Sequence, residues 1–231
     1  MQRRAFLATC AATAAGEAAW AALGDAPARL YERARLVDAA ERPLKASQIP
    51  ARQNLLFHYP FVGTPVFLIN LGRPTRSDVA LATSGGQRYA WRGGVGPGRS
   101  IVAFSAICAH QLVYPTREIS FIAYRDAPGA ASKRAEVIHC CAEHSQYDPA
   151  DGARVLAGPA EQPLAAILLE HDAATDELFA VGTQGAELFD AFFAKYTMRL
   201  SLEHRGRERQ AVAGACLVQP MERYCRQQVR C

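Results

Sequence analysis

The sequence predicts an all-β fold built from antiparallel sheets, and three observations predict it. Half of its 231 residues are apolar, with 17 Gly and 13 Pro, the composition of a folded, turn-rich chain. Between about Asn54 and Thr183 the apolar segments are short and rich in β-branched and aromatic residues: "NLLFHYP", "TPVFLINL", "QRYAWR", "SIVAFSAI", "EISFIAYR", "AEVIHC", "AAILLEH" and "ELFAVGT". Turn formers stand between them, at Gly63-Thr64-Pro65, Ser84-Gly85-Gly86, Gly93 to Gly98, Asp126 to Gly129, Asp148 to Gly152 and Asp172 to Asp176.

Residues 1–28 carry the marks of an export signal. Arg3 and Arg4 precede Phe6 and Leu7, a weakly hydrophobic Ala-rich run follows, and Ala26-Pro27-Ala28 supplies small residues for cleavage. The pattern is that of a twin-arginine signal, a route that carries folded, cofactor-loaded proteins, and it predicts a periplasmic protein. Glu17 interrupts the apolar run, so an uncleaved signal would serve as a tether rather than a stable span. Residues 29–53 read as a linker or helical arm, with Leu30, Ala34 and Val37 at helical spacing and charges between them. Residues 54–183 form the all-β domain. Residues 184–231 hold a helix with Leu188, Phe189, Phe192 and Phe193 on one face, then a strand and a basic, cysteine-containing tail.

Charge excludes little and suggests little. The formal net charge is +4, too small to argue for nucleic acid, and all of it lies between Arg199 and Cys231, where seven Arg face three Glu. In an oxidising compartment two of the tail cysteines, Cys216, Cys225 and Cys231, could pair, with the third free or bridging to a partner.

Two short segments concentrate the metal-binding chemistry. "FSAICAHQLVYP" holds Cys108 and His110, and "VIHCCAEHSQYD" holds Cys141 and His144. Thiolate and imidazole are the side chains that hold iron and zinc firmly, and each pair follows a predicted strand, so two loops at one end of a sheet could clasp one cofactor. Lone cysteines and histidines are usually packed core residues; two pairs in the same order are not readily explained that way. Cys140 adjoins the second pair and offers a competing Cys-x-x-x-His register with His144. If Val137, His139 and Cys141 share one strand face, Cys140 points to the other, which reads as a packed thiol.

These segments resemble the Rieske iron-sulfur family, whose pattern is Cys-x-His on one loop and Cys-x-x-His on a second. The resemblance implies a Rieske-type fold of antiparallel sheets with a cluster-binding subdomain. It also implies one [2Fe-2S] cluster, with Cys108 and Cys141 on one iron and His110 and His144 on the other. It extends into "SQYDPADGARVLAGPAEQPL" and implies that Ser145 donates to a bridging sulfide and Tyr147 to a ligand cysteine. The departures are specific. Where quinol:cytochrome c relatives carry a disulfide between the loops, this chain has Val113 and Glu143; thirty residues separate His110 from Cys141; and the Gly that usually follows the second His is missing.

The implied function is electron transfer by a periplasmic redox protein, or by a subunit of a quinol:cytochrome c type or other oxidoreductase complex, rather than by a complete enzyme. Its implied partners are a cytochrome or larger oxidoreductase subunit, with quinol as a further donor. A ferredoxin-like component of an oxygenase system is the second reading. A complete oxygenase is disfavoured, because only 87 residues follow His144 and His171 and His204 form no iron motif. A structural Cys2His2 zinc module is the third.

Overall fold

The computed structural model describes residues 28–231, so the twin-arginine expectation lies outside the described residues. In chain order the strands are β1 (Arg29–Val37), β2 (Leu55–His58), β3 (Pro65–Asn70), β4 (Val79–Ala82), β5 (Arg88–Trp91), β6 (Ile101–Ser105), β7 (Ile119–Ser120), β8 (Ile122–Arg125), β9 (Val137–Cys140), β10 (Gln146–Asp148), β11 (Arg154–Ala157), β12 (Ala166–Asp172) and β13 (Glu177–Gln184). Helices α1 (Leu188–Lys195) and α2 (Thr197–His204) follow, then β14 (Ala215–Leu217), β15 (Gln219–Pro220), the short α3 (Met221–Tyr224) and β16 (Gln227–Gln228). No helix among the described residues is long and apolar enough to cross a membrane.

The main sheet has eight strands in the order β14-β1-β13-β12-β6-β3-β2-β15, and all its pairings are antiparallel except β1 with β14. A smaller antiparallel sheet, β11-β10-β9-β8, lies against it and carries the second cysteine-histidine segment. Period-two alternation sorts the core into two halves. Leu56, Phe67, Ile69, Val102 and Phe104 face the small sheet and meet Ile122, Tyr124, Ile138, Cys140 and Tyr147. Their neighbours Leu55, Phe57, Val66, Leu68, Ile101 and Ala103 face the opposite way, into a core shared with Phe189, Phe192 and Phe193 of α1 and Leu200 of α2. Buried on both faces, β3 has a continuous apolar run instead of an alternating one.

The expected helical arm at 29–53 is corrected by the fold. Its first nine residues are β1, paired with β13 on one side and β14 on the other, so the sheet extends beyond 54–183 at both ends. Leu30, one of the three residues that suggested a helical stripe, is 72% exposed, whereas Ala34 and Leu36 are buried at strand spacing. The intervening Arg33 and Arg35 pair with Glu170 (2.9 Å) and Glu177 (3.2 Å) on the other face. A three-residue coincidence of spacing imitated helical periodicity in a strand whose polar face is laced by cross-strand ion pairs.

Candidate metal centre

Two loops meet where the small sheet approaches the end of β6. The first leaves β6 through Ala106 and Ile107 and turns tightly: the Leu112 amide donates to the Cys108 carbonyl at 2.9 Å and the Cys108 amide donates to the Val113 carbonyl at 2.9 Å. The second runs from the end of β9 to the start of β10, closed by the Cys140 amide donating to the Ser145 carbonyl at 2.9 Å. Both turns aim backbone N–H groups at a sulfur. The His110 and Gln111 amides point at Cys108, and the Ala142 and Glu143 amides point at Cys140. Each cysteine is thus served by the residues two and three places after it, the arrangement that stabilises a thiolate.

The two thiols lie together in the core. The neighbouring Cys140 thiol does most to draw the Cys108 pKa down to about 6; the Tyr147 hydroxyl and the two amides add to it, against the opposing effect of burial. Cys140 moves the opposite way, its pKa pushed up by the neighbouring Cys108 and by burial. Tyr147 is fully buried, and its hydroxyl accepts the Ala109 amide at 3.1 Å, which leaves its own proton for Cys108 Sγ at 3.3 Å. Cys216 is the contrast: free, buried and without such a neighbourhood, its pKa is raised by burial to about 12.

Each loop also carries an imidazole. His110 is half-buried, and its Nδ1 is buried with no hydrogen-bond partner, the orphaned polar atom expected of a metal ligand. His144 is exposed and adopts a left-handed backbone, φ 57°. That conformation supplies the turn into Ser145 which the family's missing Gly would otherwise make, so His144 occupies the glycine-like place itself. Ser145 is buried; its Oγ accepts the Ala160 amide at 3.2 Å, leaving the hydroxyl proton free to donate into the site. Above it lies the segment around Gly158, whose φ is +89° and where a Cβ would stand 2.5 Å from the Ser145 Cα and 2.7 Å from the His144 carbonyl oxygen. Only glycine permits this cover.

One expected ligand is placed elsewhere. Cys141 is not brought to Cys108; it forms a disulfide with Cys231, beside the buried ring of His139. His139, Cys141 and Cys231 hold their ligand atoms within 4.8 Å of one another, but with both sulfurs in the disulfide they offer no free thiolate. The alternation read from the sequence is observed, with His139 and Cys140 on opposite faces of β9. The Cys140 face is the one that meets Cys108, while the other meets the C-terminal tail. A signal for this existed: Ser145 stands one place too close to Cys141 for the family interval but at the full five-residue interval from Cys140. The expected pairing within the tail is corrected as well, since Cys231 pairs outside it and Cys216 and Cys225 remain thiols. No short-range pattern marks Cys231 as the partner of Cys141, 90 residues away.

The fold and the loops define a class: a mainly antiparallel β protein in which two buried thiols from separate loops lie together, with one histidine carried on each loop. No family model matches the chain. Among solved structures it is similar to the soluble domain of the Rieske protein II (soxF) from Sulfolobus acidocaldarius, at 28% identity and a TM-score of 0.45, over 66% of this chain and 78% of that one.

Proposed function

We propose that the chain is an electron-transfer protein, or the electron-transfer subunit of an oxidoreductase, that holds one Rieske-type [2Fe-2S] cluster through Cys108, Cys140, His110 and His144. The observation that carries this reading is the pair of buried thiols, each wrapped by its own loop amides, with the Tyr147 hydroxyl on one of them and an unpartnered His110 Nδ1 on the same loop. The donor set fits the group, with two thiolates and two neutral imidazoles. Cys140 takes the place that sequence spacing assigned to Cys141.

Such a group would supply one-electron transfer at a potential raised by its imidazole ligands. The chain's own contributions follow from its geometry. Cys108 and Cys140 anchor the inner side in the core, away from water. Loop amides and the Tyr147 proton stabilise negative charge on sulfur, which favours the reduced state. His144, exposed, offers an edge through which a partner could exchange an electron and a proton. The partner we favour is another redox protein, such as a cytochrome or a larger oxidoreductase subunit, with the exchange taking place in the periplasm. The Arg3-Arg4 pattern supports the location, and quinol remains an alternative donor.

Iron and acid-labile sulfide analysis of the purified chain, with the low-temperature EPR spectrum of its reduced form, tests the reading. About two irons and two sulfides per chain are expected. Zinc in place of iron, with a colourless protein, would replace it with the structural zinc module.

A further inference from the structure

The C-terminal residues carry a device that the electron-transfer reading does not use. After α3 the chain re-enters the fold as β16, which pairs in parallel with β7: Gln227 lies opposite Ile119 and Gln228 opposite Ser120. The Arg226 and Gln227 amides donate to the Arg117 and Glu118 carbonyls at 2.9 and 3.1 Å, and the Val229 amide donates to the Ser120 carbonyl at 2.8 Å. Arg125 of β8 donates to the Val229 carbonyl. The last residue then passes so close to the 126–129 turn that a Cβ on Gly129 would collide with the Cys231 carbonyl oxygen. Its sulfur ends on Cys141, the residue directly after Cys140.

The same few residues are reached from the other side. The Cys141 amide donates to the Phe121 carbonyl at 2.6 Å, between β7 and β8. The first residue of the second loop is therefore held to one short stretch, Ser120 to Arg125, both through its own backbone and through the tail. The next three residues, Ala142 to His144, are exposed. Besides the turn itself, the Gly158 segment over the His144 carbonyl and the His139 ring beside His144, the restraint on the segment that presents His144 is the disulfide.

We infer that residues 227–231 are a covalent strap, in which Cys231 acts as a positioning residue that fixes the second loop, and with it His144, through the Cys141–Cys231 disulfide. The inference deepens the electron-transfer reading and rests on it for the role of His144, although the strap itself does not need the cluster. Opening it takes two electrons. An external dithiol attacks the disulfide, loses two hydrogens and becomes a disulfide, while Cys141 and Cys231 each gain a hydrogen and become thiols. The tail then keeps its parallel pairing with β7 and the Arg125 bond to the Val229 carbonyl, and the loop loses its far restraint.

The experiment has an arm that needs no cluster. Peptide mapping of the full chain, purified without reductant, is expected to recover a cross-linked Cys141–Cys231 peptide; two free thiols there would overturn the inference. Hydrogen exchange on cluster-free protein is expected to be at least about tenfold faster at Ala142 to His144 in Cys231→Ser than in the native chain, with β3 and β6 unchanged. A dithiol added to the folded native chain should reproduce that local loosening, which keeps the test valid if the variant folds poorly. Exchange that is unchanged in both, or accelerated equally in β3 and β6, overturns a local positioning role. In iron-loaded protein, release to a chelator should quicken by a similar factor on opening the strap. Failure to load iron at all would count against the electron-transfer reading while leaving the exchange result to decide the strap.

Discussion

The two loops hold equivalent cysteines in equivalent turns, yet they are supported in different ways. The first, Cys108 to Tyr114, is backed by helices. Lys195 Nζ donates to the Gln111 carbonyl at 2.7 Å, the Tyr114 hydroxyl donates to Glu203 at 3.1 Å, and the Tyr114 ring packs edge-on against Phe192 and Tyr196, with centroids 5.0 Å away in each case. Beyond Cys140, the second has no such apolar backing. It is covered by the Gly158 segment and tied by a disulfide. Packing by Phe and Tyr side chains restrains a loop through many small contacts, each tolerant of change. A loop held by one covalent bond and one close backbone approach depends on two residues. His110 thus sits on a loop that should resist substitution, and His144 on one that should not.

The largest effect that could break this comparison lies at the adjacent cysteines. Cys140→Ala should abolish the iron and sulfide content of freshly loaded protein, because it removes a buried ligand. Cys141→Ser should leave that content intact. Measuring both by iron analysis and EPR decides the register, and the reverse result would restore Cys141 as the ligand.

Next comes the cover of the second loop. Gly158→Ala asks a residue with a Cβ to hold φ +89° and to stand against the Ser145 backbone. A strained backbone conformation costs about 1–3 kcal/mol, and relieving the overlap must shift His144 and Ser145. Denaturant titration should report a loss of that size, and the EPR line shape should change with it. A variant as stable as the native chain would show that the cover is loose.

A smaller effect sharpens the electrostatics of the first loop. Tyr147→Phe keeps the buried ring but removes the proton aimed at Cys108 Sγ. A hydrogen bond to a charged group contributes about 1.5–3 kcal/mol, and for a one-electron couple about 59 mV corresponds to a tenfold change in equilibrium. The removed bond favours the reduced, more negative state, so the midpoint potential should fall by some tens of millivolts, after allowance for relaxation. Redox titration reads it directly, and a potential equal to the native one would remove Tyr147 from the electrostatics. The smallest effect is expected at Lys195→Ala, which deletes one exposed bond to the Gln111 carbonyl and should cost under about 1 kcal/mol in the same denaturant assay, with the potential unmoved.

Much of this protein was legible in the sequence because it depends on local pattern. Short β-branched runs between Gly and Pro turns specify strands, the Leu188-Phe189-Phe192-Phe193 face specifies a helix, and Cys108-x-His110 marks the tight turn after β6, since the residues involved lie within a few places of one another. Alternation along β9 was legible too. It separated Cys140 from His139 and Cys141 but could not say which face meets Cys108, because a strand has two faces and only the sheet it joins decides which one turns inward. The same limit made β1 look helical, for its cross-strand partners Glu170 and Glu177 are more than a hundred residues away. It hid Cys231 as well, whose pairing with Cys141 follows from where β16 runs beside β7. Types of side chain and local turns came from the sequence alone. Which cysteine faces which was decided by long-range strand pairing, the part of folding that no local spacing records.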